Sequence, residues 1–420
     1  MPRHLTDLAP AKPALPDIGL GRGWESTALF GITLLLLAFG LVTLYSASAF
    51  MAQQEGLADY YFVVRQAGGA AVGLLALIIC ARIPVEFWNR AAWPLLWVCV
   101  AMLVVVILPG TEAIAPEING ARRWLRLGVT FQPSDPAKLA MVVWTAMLVV
   151  RKQGQLHSLS RGLLPFLLIW GVLLVPVALE PDLSTAVLIA AAAATVVYAG
   201  GGRLGHFAFL GLLMLPVVKA QFDVGFRAQR LLAFTDPVAM AKGAGYQATQ
   251  SMIALGSGGL LGRGFGEGRQ KYGFLPEAHN DFIFALIGEE WGLMGVIAVV
   301  ASFVVLIWLG YRVAMRAPTL FGRLVAMGLT NLIALHAVLH MAVGLGLVPT
   351  TGLALPLISY GRSNLVITLA AIGVLMSIAR ETDRDWRPED DRERQRPDLQ
   401  AANVLVPLPQ SARRMRQTHA

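Results

Sequence analysis

Long apolar stretches alternate with short polar ones along most of the chain. Each stretch is close to the roughly 20 residues that a bilayer-spanning helix needs. Ten spans are predicted: 27–49, 61–82, 93–109, 134–150, 162–179, 183–200, 205–220, 281–310, 322–346 and 364–380. The expectation is an all-α polytopic membrane protein of about ten transmembrane helices, its membrane body spanning 27–380. A large loop, 221–280, separates the seventh and eighth helices, and polar tails cover 1–26 and 381–420. The first tail is polar and proline-containing, with no apolar core or cleavage site of the signal-peptide kind. The second is dense in mixed charge and lacks periodicity, which reads as disorder.

Composition agrees, with 56% hydrophobic and 14% charged residues over 420 positions. Cys80 and Cys99 sit inside apolar runs and offer neither a disulfide framework nor a metal site. The net charge of +8 has an explanation other than nucleic acid. Arg82, Arg90, Arg151, Lys152, Arg161, Arg203, Arg312, Arg316 and Arg323 fall in alternate short loops, which places those loops and both tails in the cytoplasm. One outer-side loop breaks the bias: NGARRWLRLG carries Arg122, Arg123 and Arg126, with Trp124 between them. Positive charge where it is disfavoured points to a task such as holding an anion; a topology error is the competing reading.

Three more groups of charge gather at outer-side helix ends. In QPSDPAK, Asp135 precedes Pro136 and is read as a helix cap, or as the partner of Lys138 three residues on. EPDLST places Glu180, Asp182, Ser184 and Thr185 between two spans. The stretch 274–292, FLPEAHNDFIFALIGEEWG, begins polar with Glu277, His279, Asn280 and Asp281 and then turns apolar. On a helix starting near Asp281, at about 100° per residue, Gly288 and Gly292 fall close to its face. Small residues there would let another helix pack closely and partly desolvate the acid, strengthening it as a base. A plain helix cap is the other reading. Ionisable groups beside hydrocarbon are costly and usually functional. Arginine and lysine suit pyrophosphate, and a carboxylate suits removal of a proton from a hydroxyl.

The loop 221–280 is too long for an idle connector. It holds an amphipathic piece with Arg227 and Arg230 three apart, then GSGGLLGRGFGEGRQKYG. That run lacks the Gly-Lys-Ser/Thr ending of a phosphate loop, so nucleotide binding is rejected. A close-packed or re-entrant turn is the better use of its glycines.

NGARRWLRLG, FQPSDPAKLA, EPDLSTAVL, YQATQSMIALGSGGLLGRGFG, QKYGFLPEAHNDFIFALIGEEWG and GLVPTTGLALPLISYG resemble, in order, the signatures of the SEDS family (shape, elongation, division and sporulation). The resemblance runs from about Leu41 to Arg380, and it is closer to the cell-division branch than to the elongation branch. It implies a ten-helix enzyme of the bacterial inner membrane that polymerises lipid II on the periplasmic side with a class B penicillin-binding protein and other division proteins. It implies an essential acid at Asp281, and an acid and lysine at Asp135 and Lys138. Three features depart from the family pattern: Asp135 for the usual Glu, Tyr360-Gly361-Arg362-Ser363-Asn364 for Tyr-Gly-Gly-Ser-Ser, and His336 and His340 in the ninth span. Histidines four apart can bind a metal, but helix packing is the reading adopted.

The expected chemistry is glycosyl transfer between lipid-linked disaccharides. Asp281 accepts the proton of the acceptor's 4-hydroxyl, and Arg122, Arg123, Lys138 and Arg227 are the candidates to hold the departing undecaprenyl pyrophosphate. Asp135, Glu277 and His279 complete the substrate-binding set. A divalent cation, magnesium or manganese, is a candidate companion of the pyrophosphate, with no dedicated ligands in the sequence. A lipid flippase, with Glu289, Glu290 and Arg362 along a path, and a noncatalytic division scaffold are the rivals.

Overall fold

The computed structural model describes residues 23–117, 121–203 and 245–384, with scattered positions between 205 and 243. Its α-helices are α1 (Trp24–Gln54), α2 (Tyr61–Arg82), α3 (Val85–Ile107), α4 (Ser134–Arg151), α5 (Leu164–Leu179) and α6 (Leu183–Ala199). They continue with α7 (Tyr246–Ser257), α8 (Ile283–Arg316), α9 (Leu320–Gly344) and α10 (Arg362–Arg384). A short antiparallel hairpin, β1 (Leu125–Leu127) with β2 (Val129–Phe131), leads into α4.

Among the described residues, seven helical segments are long and apolar enough to cross a bilayer: α1, α2, α3, the run Leu159–Leu179 that contains α5, α8, α9 and α10. The apolar helix α6 is shorter. Nine of the ten expected spans coincide with a helix, while the span 205–220 falls mostly outside the described residues. Helix α3 begins at Val85, eight positions before the expected 93. Its first turns carry Glu86 and Arg90 on an exposed face as an i,i+4 pair, 3.9 Å apart, so polar residues extend the helix beyond its apolar run.

Helices α9 and α10 are largely enclosed, whereas α1, α2, α5 and α8 each keep an apolar face outward, as at Leu35, Val72, Leu168 and Ile297. Such faces suit lipid rather than water. At the centre, Trp144 of α4 meets Trp93 of α3 and Phe166 of α5 edge-on, at ring distances of 5.3 and 6.2 Å. Small residues bring α2 and α10 together, with Gly373 set against the backbone of Leu77.

The glycine-rich segment after α7 folds back onto α8, where Gly292 (φ 65, ψ −163) breaks the helix. A break in apolar surroundings leaves backbone groups that must find partners. Here the loop supplies them: Leu293 and Met294 N–H donate to the carbonyls of Gly259 (3.0 Å) and Leu260 (3.2 Å). In return, Arg263 and Gly264 N–H donate to the carbonyls of Glu289 (3.0 Å) and Glu290 (3.1 Å). Gly258 lies directly against the Gly288 carbonyl, leaving no room for a side chain. Part of the expected 221–280 loop is therefore the helix α7 and this close-packed strap. Arg227 lies outside the described residues.

Contacts divide the helix ends into two sets. Glu25 pairs with Arg312 (3.0 Å) and Arg316, and Arg380 bonds to the Ala81 carbonyl (3.4 Å). The starts of α4, α6, α8 and α10 and the end of α9 meet at the opposite end. Gly258→Val would drive a side chain into the α8 backbone, and overpacking of this kind costs about 1–3 kcal/mol. The detergent-solubilised variant should melt several degrees lower than wild type by differential scanning fluorimetry; an unchanged melting temperature contradicts this packing.

Candidate functional site

Two groups of polar side chains meet at the end of the bundle where α4, α6, α8 and α10 begin. The first is built on the start of α4. Pro133 occupies the cap position and Asp135 lies inside the first turn without capping it, so the expected cap is not formed. The expected pairing is: Lys138 Nζ donates to Asp135 Oδ1 at 2.8 Å, and also to Asn364 Oδ1 of α10 at 3.3 Å. Both members of the pair are buried, so each depends on the other. Gln132 ties α4 to α10 a second time and adds α6. Its N–H donates to Ser363 Oγ (3.1 Å), and its amide donates to Ser134 Oγ (2.9 Å) and Asp182 Oδ2 (3.3 Å). The other oxygen of Asp182 caps α6 through the Thr185 N–H at 3.1 Å.

Arg123 clamps the turn between α5 and α6, donating from Nε to the Glu180 carbonyl (2.9 Å) and from Nη2 to the Pro181 carbonyl (2.8 Å). Arg122 points elsewhere, to exposed Glu112, whose carboxyl it holds below the usual carboxylate range. Of the expected anion-holding residues, the structure thus brings Arg123 and Lys138 into one cluster with Asp135 and leaves Arg122 at the surface.

The second group is the turn before α8. Asp281 lies in that turn rather than in the helix, its N–H bonded to the Glu277 carbonyl at 3.0 Å. Glu277 takes a left-handed backbone (φ 54) and accepts a 2.6 Å hydrogen bond from the Asn280 amide. His279 is buried between Phe62 and Tyr360, at ring distances of 5.0 and 5.7 Å. Burial pushes its imidazole below the ordinary value against the pull of Glu277, so the ring is neutral at neutral pH. Asp281 is half-buried, and a Cβ added at Gly352 would lie 3.8 Å from its Oδ2. Gly288 and Gly292, expected beside Asp281, instead receive α7 and the glycine-rich strap.

One segment, 350–364, joins the two groups. Gln66 of α2 grips it, donating to the Ser359 carbonyl (3.0 Å) and accepting from the Gly361 N–H (3.2 Å). His340 of α9 holds the Leu353 carbonyl through Nδ1 at 2.6 Å, which gives that histidine a packing role. The Tyr360 N–H donates to the His279 carbonyl at 3.1 Å. The segment therefore carries Gly352 to Asp281 and Asn364 to Lys138. Gln66 and Gln132 were not singled out from the sequence, although a glutamine inside the span 61–82 is the kind of intramembrane polar residue that marks a site.

Glu289 and Glu290 are already engaged. Glu289 accepts from the N–H groups of Arg269 (2.8 Å) and Gln270 (3.2 Å). Glu290 Oε1 takes Lys271 Nζ at 2.9 Å and the Ser46 hydroxyl at 2.6 Å.

The sequence profile of the cell cycle proteins that groups FtsW, RodA and SpoVE matches residues 26–384. The chain belongs to this family. A relative from Trichlorobacter lovleyi, named a probable peptidoglycan glycosyltransferase FtsW, is 41% identical over 346 residues, 82% of this chain and 90% of that protein. Among solved structures, a chain of a peptidoglycan synthase complex, described as coordinating polymerisation and crosslinking, superposes with a TM-score of 0.72 at 27% identity. That match covers 87% of this chain and all of the other. Thermus thermophilus RodA superposes at 0.63 with 26% identity, covering 88% of this chain and all of RodA. The hairpin, the strap and the 350–364 segment all lie within the residues that the family profile matches.

Removing one member of the buried Lys138–Asp135 pair strands the other, at a cost of about 3–5 kcal/mol. Lys138→Met should therefore destabilise the protein strongly in thermal melts, while Lys138→Met combined with Asp135→Leu recovers much of the loss. Equal melting of the single and double variants contradicts the buried pair.

Proposed function

We infer that this chain is a peptidoglycan glycosyltransferase that polymerises lipid II into glycan strands and releases undecaprenyl pyrophosphate. The observation that carries the reading is one segment serving two groups: it seats Gly352 beside the Asp281 carboxylate and Asn364 beside the Lys138 ammonium. A proton acceptor and a cation thereby flank one piece of backbone, as a displacement with an anionic leaving group requires.

Asp281, half-buried in the turn before α8, takes the proton of the acceptor's 4-hydroxyl as that oxygen attacks the donor's anomeric carbon. Direct displacement inverts an α-linked donor to a β-linked product. Lys138 and Arg123 stabilise the charge that develops on the departing diphosphate. Neutral His279 and Glu277 shape the turn that presents Asp281. Among the described residues no three His, Cys, Asp or Glu side chains gather as a metal site. In this reading a divalent cation, magnesium or manganese, accompanies the diphosphate as part of the substrate.

The protein is a multi-pass membrane protein by its apolar helices and family. In this reading it sits in the bacterial inner membrane with both termini cytoplasmic and the two polar groups on the periplasmic side, and it works in cell division. Its partner is a class B penicillin-binding protein, in line with the synthase complex it resembles. A flippase path along Glu289 and Glu290 finds no support, because both carboxylates are spent on the strap.

Asp281→Asn should reduce lipid II polymerisation by the purified protein and its cognate transpeptidase by about 10²-fold or more, as loss of a general base does. Melting should stay close to wild type. Polymerisation at the wild-type rate by a folded Asp281→Asn variant overturns the assignment, and growth supported by Asp281→Ala favours the scaffold.

A further inference from the structure

Of the carboxylates in the first cluster, Asp135 takes the Lys138 ammonium and Asp182 takes the Gln132 amide and the Thr185 N–H, while Glu180 is left without a donor. It lies in the turn between α5 and α6 with 1% of its surface exposed. Neither oxygen of its carboxyl has a hydrogen-bond partner. Arg123 is beside it, but the donors it extends to this turn go to the backbone carbonyls of Glu180 and Pro181. Asp182 in the same turn and Asp135 of α4 add negative charge, and the Lys138 ammonium is bonded to Asp135 and Asn364. An ionised carboxylate sealed from water without a donor is among the most expensive arrangements a protein can hold, and the usual escape is to keep the proton.

We propose that Glu180 is a positioning residue that stays protonated, and that its neutrality lets the cluster accept the diphosphate of the lipid-linked substrate. This rests on the reading of Arg123 and Lys138 as the anion-holding pair. With Glu180 neutral, two cations face two carboxylates, Asp135 and Asp182, and a diphosphate meets no net repulsion. With Glu180 ionised, three carboxylates face the same two cations and the cluster repels the anion. Burial, with Asp182 adding to it, pushes the Glu180 carboxyl up to about 9, so the neutral form is the working one near pH 7.

Glu180→Gln keeps the shape and cannot ionise. The direct test measures binding of undecaprenyl diphosphate to the full-length protein in nanodiscs, wild type against Glu180→Gln, from about pH 7 to about pH 10. A single-proton linkage makes wild-type affinity fall by up to about tenfold per pH unit above its midpoint. The Gln variant escapes that loss and binds roughly tenfold better than wild type at the alkaline end.

Melting gives a second readout that does not need the ligand. The folded state holds a proton that the unfolded chain releases, so wild-type stability falls as pH rises from the ordinary value of 4.5 to about 9. Glu180→Gln should therefore melt higher than wild type above neutrality, by a gap that widens up to that point. Parallel pH profiles for the two proteins overturn the proposal, as does a Gln variant that melts lower or fails to fold. Absence of diphosphate binding by both proteins at about pH 7 overturns the anion-site reading instead, and the melting comparison still decides whether Glu180 carries a proton.

Discussion

A lysine ammonium held away from water needs acceptors on several sides, and Lys138 draws them from two helices. Asp135 lies one turn back on α4, and Asn364 reaches across from the first turn of α10. The start of α10 cannot move without taking an acceptor from the buried ammonium, which the Asp135 carboxylate on its own helix would then have to satisfy alone. Because 350–361 runs straight into that turn, the same constraint governs the segment that faces Asp281. Gln132 reinforces it by bonding to Ser363 of α10 and Asp182 of α6. The relation between acid and cation is thus set by partner satisfaction inside the bundle and not by the conformational taste of a loop.

A second constraint shapes the other side of the site. Irregular backbone survives in apolar surroundings only if its N–H and C=O groups find partners inside the protein. The break at Gly292 and the glycine-rich strap solve each other's problem by exchanging hydrogen bonds across a contact that Gly258 keeps close. Glu289 and Glu290 then fasten the strap, one through backbone N–H groups and the other through the fully bonded Lys271 ammonium, which also reaches Ser46 and the Gly266 carbonyl. Ten residues after Lys271 comes Asp281, so the acid is approached by chain fixed on both sides.

Hydrophobic runs in the sequence located nine helices because burial in lipid or in a helical core both demand unbroken apolar stretches. The pairing of Asp135 with Lys138 was equally legible, since residues three apart share a helix face. The role of Gly288 and Gly292 was only half readable. Small residues announced a close approach, but the approaching chain, the end of α7 and the strap that follows it, is non-local and leaves no trace in the spacing. The separation of Arg122 from Arg123 was not readable either, because neighbours in an irregular stretch have no fixed angular relation. Most of all, the joining of the two polar groups depends on Gln66 and His340 gripping 350–364, contacts between residues hundreds of positions apart in one case. Periodicity carries no information of that kind.

In the proposed reading, the chemistry depends on this placement. A half-buried acid can draw a proton from a sugar hydroxyl only if the departing anion is met at the same moment by cations already in position, which is what preorganised sites supply. The most direct measurement is a cryo-electron-microscopy structure of the Asp281→Asn protein with a lipid-linked disaccharide donor trapped in it. The account expects the diphosphate within hydrogen-bonding reach of Lys138 or Arg123 and the sugar lying between that pair and residue 281. A donor bound with its diphosphate away from both cations, or with its sugar on the far side of the 350–364 segment from residue 281, would contradict it.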